Sequence, residues 1–206
     1  MKNIFLSSFR YPRVAGGLLL GLAIFLCASA GAQELLKNGD FESPFPGLNP
    51  TDNWTLVYVD GGPDDFAIAG QSTEASYCCS GHGAHIRSSN CNFSHAYFKQ
   101  VVTNLTEGAS YTLNILKMRA GFKYSDEGTP PKLKVYASMI SGSSSNAVHG
   151  YSTNVGPYSL TITAGVSQIE VQLHVWHGVL PDESSEDFKS SKTSGWFDRL
   201  SLTLAP

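Results

Sequence analysis

The ten residues "QIEVQLHVWH", Gln168 to His177, alternate without a break. Ile169, Val171, Leu173 and Val175 point one way, and Glu170, Gln172, His174 and Trp176 point the other. A period of two is the signature of a strand with one face in a core and one turned outward. The same texture recurs along the chain. Short runs rich in Val, Ile, Thr, Tyr and Phe, such as "ELLKNGDFE", "WTLVYV", "DFAIAG", "GAHIRSS", "AYFKQVVTNL", "SYTLNILKMRA", "KLKVYASMI", "YSLTITA" and "GWFDRLSLTL", are separated by Gly, Pro, Ser, Asn and Asp. No segment keeps a helical period for more than two turns. The pattern predicts an all-β chain folded as a sandwich or barrel. "SGSSSN" (Ser141 to Asn146) and "PDESSEDFKSSKTSG" (Pro181 to Gly195) read as polar loops.

The N-terminus differs from everything after it. Lys2, Arg10 and Arg13 precede the apolar run "VAGGLLLGLAIFL", and "CASAGA" follows with small residues at Ala30 and Ala32. This is the layout of a secretory signal peptide cut before Gln33, and the run is shorter than the roughly 20 residues that span a bilayer. Residues 1–32 are therefore expected to be a signal peptide and residues 33–206 one exported domain, extracellular or periplasmic, with no membrane insertion. Removing three of the 14 basic residues leaves 11 against 17 acidic ones, a charge of −6. Such a surface offers nothing for nucleic acid or anionic lipid to hold and suits neutral or cationic partners.

"CCSGHGAHIRSSNC" packs Cys78, Cys79 and Cys91 around His82 and His85, with His95 just beyond. Zinc and copper accept these ligand types, but the spacing repeats no C-x-x-C pair, and export favours oxidation of thiols. A disulfide is the preferred reading. Adjacent cysteines bridge each other only with strain, so Cys91 is expected to pair with Cys79 or with Cys78. One thiol is then left for intermolecular pairing, which opens a route to a dimer. Between the cysteines, "GAHIRSS" reads as a strand with Ala84 and Ile86 inward and His85 and Arg87 outward.

No G-x-S-x-G elbow, H-E-x-x-H pair or phosphate loop occurs, and the acidic runs "GGPDD" and "PDESSED" read as solvated loops. The expectation is a non-catalytic protein. A strand face carrying Gln172, His174 and Trp176 has the chemistry of a sugar platform, in which an aromatic ring covers the apolar face of a sugar and polar groups meet its hydroxyls. The alternative is a solvated strand with one amphipathic Trp covering a neighbour. Trp54 and Trp196, near strand starts, are expected in the core.

"LLKNGDFESP", "AYFKQVVTNLTEGASYTLNILKMRA" and "SGWFDRLSLT" occur in that order. Together they resemble the galactose-binding-like β-sandwich, and most closely the carbohydrate-binding modules of the family 4 and 9 type. That resemblance implies a jelly-roll sandwich that binds polysaccharide or glycan. Trp176, Tyr136, His85, Arg87, Gln172 and His174 are then the candidate contacts from one sheet face. It also implies a structural calcium ion held by the side chains of Glu42 and Asp198 with carbonyls from Asp40 and Gly83, within the six to eight oxygens calcium takes. The family often has an acidic residue just before that glycine, where this chain has only Ser80 nearby. In "YTLNILKMRA" the outward set is read as Thr112, Asn114, Leu116 and Met118, without the aromatic or charged residue that sugar-binding relatives often place there. A structural or adhesive protein using the same fold for protein contacts is the other reading.

Overall fold

The alternation resolves into two antiparallel sheets packed face to face. The computed structural model describes residues 33–43, 53–72, 81–88, 94–121, 135–150, 155–177 and 194–206. Sheet A runs in the order β1 (Thr55–Asp60), β4 (Ser94–Thr103), β9 (Gln168–His177), β6 (Val135–Ser141) and β7 (Ser144–His149). Sheet B runs β2 (Phe66–Ser72), β3 (Gly83–Ser88), β10 (Ser194–Leu204), β5 (Ser110–Gly121) and β8 (Tyr158–Thr163). Apart from the hairpin neighbours β6–β7 and β2–β3, adjacent strands are non-consecutive in the chain, which gives the crossovers of a jelly roll.

The core lies between the sheets and takes alternate residues from each strand. Ile169, Val171, Leu173 and Val175 of β9 are at most 1% exposed, as the ten-residue alternation predicts. Phe98 of β4, Ile86 of β3, Leu113 and Ile115 of β5, and Phe197 of β10 meet them. Each such side chain contributes on the order of 1.5–3 kcal/mol by leaving water. Trp54 is fully buried beside Phe41, and its Nε1–H donates to the Asn38 carbonyl at 3.1 Å.

The first segment, read as a strand from its sequence, forms no regular ladder. It lies along β10, with the Leu35 N–H donating to the Leu202 carbonyl at 3.0 Å and the Leu200 N–H to the Gly39 carbonyl at 2.8 Å. Asn38 (φ 49°) and Phe41 (φ 56°) bend it away from strand geometry. Gly39 is required by close approach, because a Cβ there would run into the Leu200 carbonyl oxygen. Gln100 ties the segment to β4, accepting from the Lys37 N–H at 2.8 Å and donating to its carbonyl at 2.9 Å.

Three other expectations change. "SGSSSN" is not all loop: Gly142 (φ 59°) turns a tight hairpin, and β7 begins at Ser144. Its residues look polar because an edge strand keeps only one partner and leaves much of its surface wet. Met118 is fully buried instead of outward. The inward parity of β5 switches between Ile115 and Met118, and β10 switches opposite it around Arg199, whose φ is 54°. Trp196 is buried but outside the main core, packed on Val155 and stacked on His85 at 4.6 Å.

Candidate functional site

Antiparallel register lines up side chains from different strands into rows across the outer face of sheet A. Tyr97 of β4 stands opposite His174 of β9, which stands opposite Tyr136 of β6, which stands opposite His149 of β7. The next row is Lys99, Gln172 and Ser138. On the other side His95 faces Trp176 and, toward the edge, Asp60. Cross-strand neighbours on one face sit close enough to interact directly.

The central row is packed ring on ring. His174 and Tyr136 stack at 4.2 Å between centroids, Tyr97 lies 4.6 Å from His174, and His149 lies 5.6 Å from Tyr136. Beneath this runs a polar chain. His95 Nε2 is 2.9 Å from His174 Nδ1, and His174 Nε2 is 2.8 Å from Gln172 Oε1. The Ser138 hydroxyl donates to the same Gln172 oxygen at 3.2 Å. The Gln172 amide N–H donates to Glu170 Oε1, and Lys99 Nζ closes the chain on Glu170 Oε2 at 3.3 Å.

Burial sets the protonation of this cluster. Desolvation, reinforced by His95, pushes the His174 pKa down to about 3. His95 and His149 are also lowered by burial, the first against the pull of Asp60. Burial raises the Tyr136 hydroxyl, and Tyr97 adds to it. The face at neutral pH is an uncharged aromatic and imidazole surface with one ion pair at its side.

Of the six residues expected on one face, four share it: half-buried Trp176 and Tyr136, and buried His174 and Gln172. His85 and Arg87 do not. They belong to β3 in sheet B, on the opposite side of the sandwich, where alternation does turn them away from Ala84 and Ile86. His85 is fully buried there, with a pKa lowered to about 4 by burial and then by Arg87. The residues missed on sheet A are His95, Tyr97, Lys99, Ser138 and His149. The first three were legible, because they alternate with Ala96 and Phe98 in "SHAYFKQ" just as in β9.

The residues expected at calcium lie at the junction of the first segment with β10 and β3. Asp198 is 1% exposed, and its Oδ2 has no hydrogen-bond partner among the described residues, with Arg199 Nε 4.0 Å away. Burial, and in smaller part the charge of Glu42, raises its pKa. Glu42 is held by His82, which donates its N–H to Oε1 at 3.1 Å and places Nδ1 2.9 Å from Oε2; these bonds lower its pKa. A buried carboxylate oxygen without a donor, beside a second carboxylate, fits a cation. Among the described residues no group of three or more His, Cys, Asp or Glu side chains converges to hold a metal. His82, His85 and His95 go to three separate places: Glu42, Trp196 and His174. Cys78, Cys79 and Cys91 lie outside the described residues, as does the expected signal peptide.

A cleft of about 650 Å³ adjoins the face at Lys99, bounded by Glu34, Lys37, Asn53, Thr55 and Asn104.

No protein-family model matches the chain, and no curated protein matches it. Solved structures do. A carbohydrate-binding module of family 4 aligns over 82% of this chain and 99% of its own, at 15% identity and a TM-score of 0.52. A family 61 module solved with β-1,4-galactotriose covers 84% and 100%, at 13% identity and a TM-score of 0.51. The chain spans 21% of the length of bacteriophage CBA120 tailspike protein 4, at 17% identity and a TM-score of 0.49. The first two alignments, nearly end to end, show that the fold is the jelly-roll β-sandwich of carbohydrate-binding modules.

Proposed function

We propose that this is an exported, non-catalytic carbohydrate-binding domain that takes a polysaccharide or glycan on the outer face of sheet A. The observation that carries the reading is the row Tyr97–His174–Tyr136, with Trp176 and His95 beside it and Lys99 and Gln172 below. Aromatic edges and faces cover the apolar side of a sugar ring, and amide, imidazole and ammonium groups meet hydroxyls. The fold shared with the two modules supports the same reading. Screening the folded protein on a glycan array and in polysaccharide pull-downs tests it, and an absence of binding across both would overturn it.

A second reading has one observation in its favour. Val101 and Ile140 flank Glu170 on the same face and are 45% and 37% exposed. An adhesive protein would use that apolar end for protein contacts. Capture of a partner that survives Trp176→Ala and does not compete with sugars would favour it.

We also propose a structural calcium ion, with Glu42 and Asp198 as side-chain ligands and Asp40 and Gly83 offering carbonyls. The ion would supply the positive charge that the buried Asp198 carboxylate otherwise lacks at hydrogen-bonding range. Cys91 pairing with Cys79 or Cys78 would staple the chain ends around β3 and leave one thiol for a partner chain.

A further inference from the structure

The polar chain beneath the sheet A face has a direction, and its chemistry assigns every proton along it. The anchor is Glu170. A carboxylate paired with Lys99 only accepts, so the Gln172 group beside its Oε1 is the NH2 end of the amide. The Gln172 oxygen therefore faces His174 and Ser138. Across 2.8 Å that oxygen admits only an N–H, so His174 carries its proton on Nε2. The Ser138 hydroxyl lies 3.2 Å from the same oxygen and 3.3 Å from His174 Nε2; with Nε2 already bearing its proton, the hydroxyl donates to the oxygen and does not alter this.

A neutral imidazole has one donor and one acceptor. With Nε2 protonated, His174 Nδ1 accepts, and the group 2.9 Å away on His95 must be Nε2–H. His95 Nδ1 is then left with a lone pair. It has no protein partner among the described residues, on a half-buried side chain beside Trp176.

We infer that His174 is a positioning residue that holds His95 in its Nε2–H form, so that His95 Nδ1 acts as the acceptor for a ligand hydroxyl on this face. The ligand part of this inference rests on the glycan reading above; the proton assignment does not. His174 cannot take a second proton on Nδ1 without setting N–H against N–H and breaking the bond to His95. His95 can be protonated with the bond intact, and its Nδ1 then changes from acceptor to donor. The groups facing the pair are Asp60 from β1, Tyr97 and Lys99 on β4, Glu170 on β9, Tyr136 on β6 and His149 on β7.

Nitrogen-15 labelling of the histidines, read by long-range proton–nitrogen correlation at pH 7.5, tests the assignment without any ligand. In the wild type, His95 and His174 are expected to be protonated on Nε2 alone. The paired change Lys99→Glu with Glu170→Lys keeps an ion pair but turns a donor toward Gln172. The amide should reverse, and both imidazoles should move to the Nδ1–H form. Glu170→Gln, the milder variant, should give a mixture of both forms on both rings. A wild-type His95 or His174 protonated on Nδ1 would overturn the inference. So would variants with native backbone spectra whose histidine forms do not move. Adding β-1,4-galactotriose as a probe separates the two claims. If no tested glycan binds, the glycan reading falls while the proton assignment stands or falls on the spectra. If galactotriose binds, the paired variant should bind it about tenfold more weakly, as expected for one lost hydrogen bond in a desolvated site; unchanged affinity in a variant with reversed tautomers would remove the acceptor role.

Discussion

His174 lies flat against Tyr136, with ring centroids 4.2 Å apart and planes within 8° of parallel, although they are 38 positions apart in the chain. Tyr97 flanks the imidazole from the other neighbouring strand, and both ring nitrogens are engaged. An imidazole so enclosed has no room for the hydration that a charge demands, which is why its pKa falls to about 3.

That burial makes the protein sensitive to acid. In the unfolded chain His174 takes a proton near pH 6.5, whereas the folded ring resists it down to about 3, and His85 resists down to about 4. The unfolded state therefore binds more protons over this window, and stability falls as pH drops from 6.5. At pH 5.5 the loss should be about 1 kcal/mol for each of the two histidines. Urea midpoints at pH 7.5 and 5.5 measure it. His174→Gln should shrink the difference by its own share, and an unchanged difference would refute a buried neutral His174.

The glycan reading makes Tyr136 the exposed part of the stack. Tyr136→Ala should weaken glycan binding about tenfold, on the order of 1.4 kcal/mol for a lost aromatic platform. Thr161→Ala, on the outer face of sheet B, should leave affinity unchanged. Titration calorimetry with whichever glycan binds the wild type distinguishes them, and equal affinities would count against this face.

Asp198 gives calcium a stability signature. Burial raises its pKa, so its ionised form is costly at neutral pH in the absence of a cation. Calcium at a hundred times its dissociation constant should stabilise the wild type by about 2.7 kcal/mol. Chelator should reverse the gain. Asp198→Asn should lose the response and, in chelator, be at least as stable as the wild type. A melting temperature that rises with calcium equally in both proteins would exclude Asp198 as a ligand.

Gly39 tests the docking of the first segment onto β10. Gly39→Ala drives a methyl into the Leu200 carbonyl and breaks the bond between them, for a cost of about 2–3 kcal/mol. Gly70→Ala, where a Cβ meets nothing within 4 Å, should cost far less. Thermal denaturation of the two variants should separate them clearly, and equal melting temperatures would mean the contact is not made.

Much of the architecture was legible from alternation alone. A strand buries every second residue, so β9 announced its own core set, and β3 announced that Ala84 and Ile86 turn away from His85 and Arg87. Where a strand departs from strict alternation the reading failed. Met118 is the clearest case, because the parity of β5 changes two residues before it, in step with the left-handed Arg199 across the ladder.

What the sequence by itself determined was which side chains share a face of their own strand, since that depends only on the two-residue period. Which faces come together depends on the order of strands in each sheet, and that was decided by tertiary structure. Placing β9 between β4 and β6 brought His95, Tyr97 and Tyr136 onto His174, and placing β3 in the other sheet carried His85 and Arg87 away from it. Long-range pairing also set the chemistry. A histidine on an outward face reads as solvated, and only neighbours from two other strands bury it, fix its proton and make it part of a surface.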